Sequence, residues 1–287
     1  MNLIDLKISR PGLWFPTLWI YLVPFSNEVG FWKTIPFWLG ILFVTFPLNY
    51  LVYGLNDYND KEADAVNDRK GNFLFGAKAS AVQLASVPKK MMILIIPFII
   101  LFTIMSGYKM FILLAVMIFV NIIYNFEPFR IKERPPFEII IQVGYVVTAY
   151  FCTELNDLPA LPWQTMLYLG LFAFQAHIAG EIMDIEPDII AGKRTTATLL
   201  KRQKTKLLML LLLVVEVYIL WFWFNDIVLA GFLAVFSIWL FLDVFIIFKE
   251  KPYTLSQMKL FGYAINISAI ASMAWTLYAG KLMMPVF

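Results

Sequence analysis

The sequence predicts an all-α, polytopic membrane protein with about nine transmembrane helices and a cytoplasmic N-terminus. Three observations carry that prediction. Of 287 residues, 61% are hydrophobic and 15% charged, where a soluble domain has about 45–50% and about 25%. The mean hydropathy is +0.74, and a series of apolar runs approaches the roughly 20 residues that a bilayer crossing needs. Finally, all of the 23 Lys and Arg except Lys33, Lys109 and Lys281 fall on one side of a nine-span arrangement. That is the positive-inside pattern, which a miscounted helix would scramble.

Taken in order, the chain begins without the small-residue pattern of a cleavage site, so no cleaved signal peptide is expected. Arg10-Pro11 leads into the first run, 11–29, and a short turn leads to the second, 31–55. A long polar stretch follows. The runs 91–107 and 109–126 are split only by Ser106, Gly107 and Lys109. After the loop Tyr124–Pro136 come 137–155 and 163–183, a second polar stretch, and then 206–224, 226–248 and 260–282. Glu216 and Asp243 fall inside runs, where a carboxylate is a functional candidate or half of a pair across the bundle. Every long connection lies on the predicted cytoplasmic side, so the chemistry is expected there, in one domain spanning 1–287. One cysteine (Cys152) and one histidine (His177) leave no disulfide framework and no Cys/His metal site. The net charge of +3 is modest, and no nucleic-acid partner is expected.

The first polar stretch, Asn56–Asn72, holds Asp57, Asp60, Glu62, Asp64 and Asp68. Asn56, Asp60 and Asp64 are four apart, which on an α-helix keeps them within about 40° per step on one face. Clustered oxygen donors suit a hard divalent cation such as Mg²⁺, which commonly brings phosphate oxygens with it; a solvated acidic loop is the other reading. The second stretch, Glu181–Thr198, repeats the theme. Asp184 and Asp188 are four apart, Glu181 stands three before Asp184, and Pro187 is expected to interrupt or kink a helix. The two stretches follow the second and the sixth run, about four helices apart, as in a bundle of two four-helix repeats plus one helix. Bases follow each: Arg69 and Lys70, then Lys193 and Arg194. The loop between adds Arg130, Lys132 and Arg134. Carboxylates, a cation and bases on one membrane face describe a diphosphate site. Lys201, Arg202, Lys204 and Lys206 are assigned to topology and anionic headgroups. A transporter is the rival class, since internal repeats and acids suit one, but paired acids with adjacent bases at helix ends suit a bound diphosphate better.

These residues resemble the UbiA superfamily of intramembrane prenyltransferases. Asn56–Asp64 matches the family's NDxxDxxxD signature, and Glu181–Asp188 matches DxxDxxxD with Glu181 in place of the first Asp. Arg10-Pro11 and the Tyr-…-Pro-x-Arg-x-Lys loop extend the likeness along the chain. The usual YxxxK spacing is not kept, because Pro128 stands four after Tyr124. Asp184–Thr198, His177 and Asn67–Asn72 are most similar to lycopene elongases. The resemblance implies a ring-like bundle in the cell membrane, active on its cytoplasmic face. It implies Mg²⁺-dependent transfer of a prenyl group, dimethylallyl in an elongase, from an allylic diphosphate to a lipophilic acceptor such as lycopene. Aromatic, chlorophyllide and glycerol-lipid acceptors are the alternatives. It gives Asn56, Asp60 and Asp64 to one metal ion and Asp184 and Asp188 to another, with Asp68, Glu181 and His177 in support. Arg69, Lys70, Arg130 and Lys132 would hold diphosphate, with Tyr124 donating a hydrogen bond. Arg10 is either an acceptor clamp or a topological anchor.

Overall fold

A computed structural model describes residues 1–26, 28–61, 64 and 67–286. Glu62 lies outside the described residues. The regular elements among them are helices: α1 (Leu3–Ile8), α2 (Phe15–Leu22), α3 (Ile35–Asn59), α4 (Ala81–Ala85), α5 (Val87–Ser106), α6 (Tyr108–Asn125), α7 (Phe137–Ile140), α8 (Val147–Asn156), α9 (Trp163–Ile190), α10 (Thr196–Phe222), α11 (Ile227–Leu242) and α12 (Leu255–Ala279). Among the described residues, eight helical segments are long and apolar enough to cross a membrane. The first predicted run is different. Within 11–29 the apolar helical stretch is shorter, Phe15–Phe25, and it leads from the end of α3 that carries Asp57, the partner of Arg10, toward the end at Phe37, whose carbonyl accepts from the Tyr21 hydroxyl. At 1.5 Å per residue the stretch covers about 16 Å, roughly half a bilayer core. Pro24 sits in a 3-10 turn at its end, where a residue without an N–H cannot extend an α-helix. Trp19, Ile20, Tyr21, Leu22, Val23 and Phe25 are all buried, so this helix is core, wrapped by α3, α8 and α12. Packing of α12 on α2 returns the end of the chain to its beginning.

The outer faces carry Ile93, Ile96, Ile100 and Ile104 on α5 and Leu211, Val214, Tyr218 and Phe222 on α10, all exposed. Turn after turn of bare, largely apolar surface suits hydrocarbon, where helices satisfy their own backbone groups. Pro47 lies inside α3 and leaves that helix short of one internal hydrogen bond. The Asn49 amide answers locally, donating to the Val44 and Thr45 carbonyls (2.8 and 2.7 Å) and to Thr17 Oγ1 (2.9 Å).

Two predicted boundaries move. The helix predicted over 163–183 runs on to Ile190 with Pro187 inside it. The helix predicted from 206 starts at Thr196, capped by Thr195. Between Thr196 and the membrane, Lys201 adopts φ 64°, and this left-handed break turns the basic run. Lys201 and Lys204 are exposed, but Arg202 and Lys206 are buried, which corrects their assignment to headgroups. Arg202 donates to the Ile182 carbonyl (2.7 Å) and pairs with Glu186. Lys206 donates to Asp243 (2.9 Å) and to the Lys249 carbonyl (3.1 Å), while the Tyr253 hydroxyl donates to Asp243. The π-turn Asp243–Ile247 ending α11 brings that carboxylate inward. Asp243, an intramembrane candidate in the sequence, is thus a structural ion-pair partner.

Candidate active site

Asn56, Asp60 and Asp64 do not share one helical face. The last helical residue of α3 is Asn59, and Asp60 has φ −108° and ψ 27°, outside the helix. Its N–H still bonds the Asn56 carbonyl (3.0 Å), and its own carbonyl accepts from Asp64 N–H (2.9 Å). The segment beyond is tied by its own side chains. Asn67 Oδ1 accepts from Arg69 N–H (3.0 Å), and Asn72 Oδ1 accepts from the N–H groups of Leu74 and Phe75 (both 2.9 Å). Gly76 closes this turn at φ +101°, and a Cβ there would lie 3.0 Å from Arg10 Nε. Glycine therefore supplies both the backbone angle and the passage through which Arg10 reaches inward.

Arg10 Nη2 and Lys70 Nζ both reach Asp57 Oδ1 at 2.7 Å, and Lys70 also meets Asp64 Oδ2 at 3.0 Å. Asp60 is gripped on both oxygens, by Lys132 (2.5 Å) on one and Lys193 (2.8 Å) on the other, with Arg130 at 3.8 Å. Two contacts join the distant acidic stretches. Lys193 reaches from Asp60 to Asp188 (3.5 Å), and Asp184 pairs with Arg69 and accepts from Asn67 Nδ2 (3.1 Å). Five carboxylates from two helix ends are interleaved with Arg10, Arg69, Lys70, Lys132 and Lys193. Asp57, Asp60 and Lys132 are among the buried members.

This setting moves protons. Burial raises the Asp60 carboxyl, but Lys132 and Lys193 outweigh it and hold it below the ordinary range. Burial pushes Asp64 up to about 6, with Asp57's charge adding to the effect against the pull of Lys70. Burial would lower Lys193, yet Asp60 and Asp188 raise it.

The remaining predicted residues divide. Arg130 is drawn mainly to Glu133 (2.7 Å). Asn56 is half-buried on the last turn of α3, and Asp68 is exposed on the following turn. Glu181 stands apart from the Lys and Arg groups. Its Oε2 accepts from Ala197 N–H (3.1 Å) and its Oε1 faces His177 Nε2 at 3.1 Å. Tyr124 meets the His177 ring edge-on, 6.3 Å between centroids.

Three members of the cluster escaped assignment from sequence. Asp57 lies beside Asn56, and it is joined to Asp64 through Lys70, which meets both carboxylates. Lys193 reads in the sequence only as a base after the second stretch. Arg10 was left between clamp and anchor; its contact is Asp57, and its guanidinium lies 4.5 Å over the Tyr53 ring.

The donors are all hard oxygens, as Mg²⁺ prefers, and Asp57 Oδ2 is buried without a hydrogen-bond partner. Among the described residues, no three acidic, His or Cys side chains converge on one point, because each carboxylate is held by a base. The set fits a metal in its chemistry, with bases alongside of the kind that bind phosphate oxygens.

Comparison with known proteins bears on this site. The model of the UbiA prenyltransferase family matches residues 13–282. A lycopene elongase/hydratase of Corynebacterium glutamicum is 27% identical over 195 residues, 67% of each chain. One from Haloferax volcanii is 29% identical over 162 residues, 55% of this chain and 51% of that one. A UbiA homolog from Archaeoglobus fulgidus bound to DMAPP and Mg²⁺ superposes with a TM-score of 0.69 at 16% identity, over 94% of this chain and 99% of that chain. The same homolog bound to GPP and Mg²⁺ gives 0.68 at 17% identity, with the same coverage.

Proposed function

The chain belongs to the UbiA prenyltransferase family, and from that premise we propose that it transfers a dimethylallyl group from dimethylallyl diphosphate to lycopene. The observation that carries a diphosphate donor is the cross-linking of two acidic helix ends by Lys193 and Arg69. The acceptor rests on the likeness to proteins named lycopene elongase/hydratase. We assign the reaction to the cytoplasmic face of the cell membrane, within a single domain.

Asp60, Asp64, Asp184 and Asp188, with Asn56 and the added Asp57, would hold Mg²⁺. That ion, when bound, supplies positive charge to the departing diphosphate. Arg69, Lys70 and Lys132, joined by Lys193 and Arg130, bind the diphosphate oxygens. They stabilise the charge that grows as the C1–O bond breaks, and such stabilisation acts strongly where water is excluded. Tyr124 would donate a hydrogen bond to the diphosphate. The terminal alkene of the acceptor then attacks C1 directly, so no base is required to activate it.

The test is turnover by the purified chain with dimethylallyl diphosphate, Mg²⁺ and lycopene, read by mass spectrometry of the lipid extract. A product heavier by one or two five-carbon units is expected. No such product, with transfer instead to a phenol, a chlorophyllide or a glycerol lipid, would reject lycopene and keep the family chemistry. Uptake of solute into vesicles without transfer would favour a transporter.

A further inference from the structure

We propose that His177 and Glu181 form the dyad that takes the proton released when the reaction ends, a role that rests on the alkene acceptor proposed above. The chemistry demands such a group. As the C1–O bond breaks, its electron pair leaves with the diphosphate oxygen. The acceptor's π pair forms the new C–C bond to C1, and a tertiary cation remains on the acceptor. Neutrality returns in one of two ways. A neighbouring C–H bond breaks, its pair becoming a new C=C and its proton leaving, or water adds through oxygen and then sheds a proton. Either route delivers one proton to a base.

Most groups around the acidic segments are poorly suited to accept it. The carboxylates of Asp57, Asp60, Asp64, Asp184 and Asp188 are each in contact with Lys or Arg. Glu138 is free of such a partner but fully buried, and one of its oxygens already accepts from both the N–H and the hydroxyl of Thr196 (2.6 and 2.5 Å). Glu181 differs. One oxygen is fixed by Ala197 N–H in the first turn of α10, and the other points at His177 Nε2 from 3.1 Å. Neither His177 Nε2 nor Glu181 Oε1 has a hydrogen-bond partner, although both are buried. The pair faces without the alignment of a formed hydrogen bond, as catalytic contacts often do before substrate binds. The histidine side chain keeps 19% of its surface accessible, whereas Glu181 keeps 7%. His177 is therefore the reachable member, accepting the proton on the ring nitrogen turned away from Glu181. Glu181 is a positioning residue that balances the resulting imidazolium, and the Tyr124 ring stands at 78° to the histidine ring beside it.

The experiment uses the full chain in nanodiscs with Mg²⁺, dimethylallyl diphosphate and lycopene, comparing wild type, His177→Gln, Glu181→Gln and His177→Ala with and without imidazole. The quantities read are kcat, donor KM and the ratio of alkene to alcohol products. His177→Gln is expected to lower kcat about a hundredfold or more, the low end of general-base contributions. Donor KM should stay within about twofold, the product ratio should change, and imidazole should restore His177→Ala. Glu181→Gln should move the ratio in the same direction by less, and it stands in if the histidine variants do not fold. A kcat and ratio within about twofold of wild type in these variants would overturn the dyad and leave diphosphate or water as the base. Wild type without lycopene turnover would instead remove the functional reading, and the dyad with it.

Discussion

Two buried ionic networks in this protein are built differently. Around Asp243, Lys206 is closed by a carboxylate and a backbone carbonyl, with Tyr253 completing the carboxylate's partners. Every group belongs to α10, α11 or the connection after it, and nothing is shared with a distant segment. Around Asp60, by contrast, the carboxylates come from two helix ends and the cations have divided contacts. Lys70 serves Asp57 and Asp64, Lys193 serves Asp60 and Asp188, and Asp57 Oδ2 has no partner. A closed network holds a fold. An open one, in which Lys70, Lys193, Asp57 and Asp60 are each shared between partners, can exchange those partners for a charged ligand. Arg202 stands between them: its guanidinium lies 5.6 Å over the Tyr253 ring and donates to the Ile182 carbonyl within the helix that carries Asp184 and Asp188.

The contrast breaks most visibly at the carboxylates. Asp60→Ala or Asp184→Ala should reduce prenyl transfer by about a thousandfold or more, the scale seen when preorganised charge stabilisation is removed, while membrane insertion is retained. Turnover at the wild-type rate would take these residues out of the site. Chelation by EDTA should likewise stop transfer, and added Mg²⁺ should restore it.

Lys206→Met tests the other network. It leaves Asp243 buried without its cation, a change that costs about 3–5 kcal/mol. The expected result is a large drop in unfolding temperature, with donor KM unchanged in the protein that remains folded. A normal unfolding temperature with raised donor KM would move Lys206 into the reaction.

Arg69→Ala should be milder. Loss of one charge-assisted hydrogen bond, about 1.5–3 kcal/mol, should raise donor KM by about ten- to a hundredfold and leave acceptor KM nearly constant. An effect on acceptor KM alone would contradict a phosphate role.

The smallest effect is on pH. Asp64 at about 6 keeps a proton that the unfolded chain gives up near 3.8. Its contribution to metal-free stability is thus present at low pH and lost as pH rises through that window. Asp60, held low, acts in the opposite sense: its contribution is present above the ordinary carboxylate range and lost on acidification. Because Mg²⁺ competes with the Asp64 proton, apparent Mg²⁺ affinity should rise as pH climbs to about 6 and level off above it. Calorimetric titration across that range would expose the reverse trend.

Much of this was legible in the chain. Long apolar runs and the Lys/Arg asymmetry give a helical membrane bundle because hydrocarbon admits little else. The two acidic stretches could be paired because like composition recurs at like positions. What spacing could not convey was where a helix stops. Asp60 lies just past the end of α3, so Asp57 rather than Asn56 shares Lys70 with Asp64. Nor could composition reveal that Lys201 breaks its helix, turning Arg202 and Lys206 inward while Lys204 stays exposed. Hydropathy also registers burial in protein and burial in lipid alike, so it could not convey how much of the 11–29 run is packed inside the bundle. Prolines shorten it, and α3, α8 and α12 cover it.

The central claim is that the two acidic helix ends form one diphosphate site. Its most direct test is Mg²⁺-dependent binding of a non-transferable donor, dimethylallyl thiodiphosphate, to wild type, Asp60→Asn, Asp184→Asn and the double variant. Residues of one unit are non-additive. Each single variant should therefore lose about a hundredfold or more in affinity, and the double variant should be little worse than either. Losses that multiply in the double variant, or binding that survives both substitutions, would contradict a shared site.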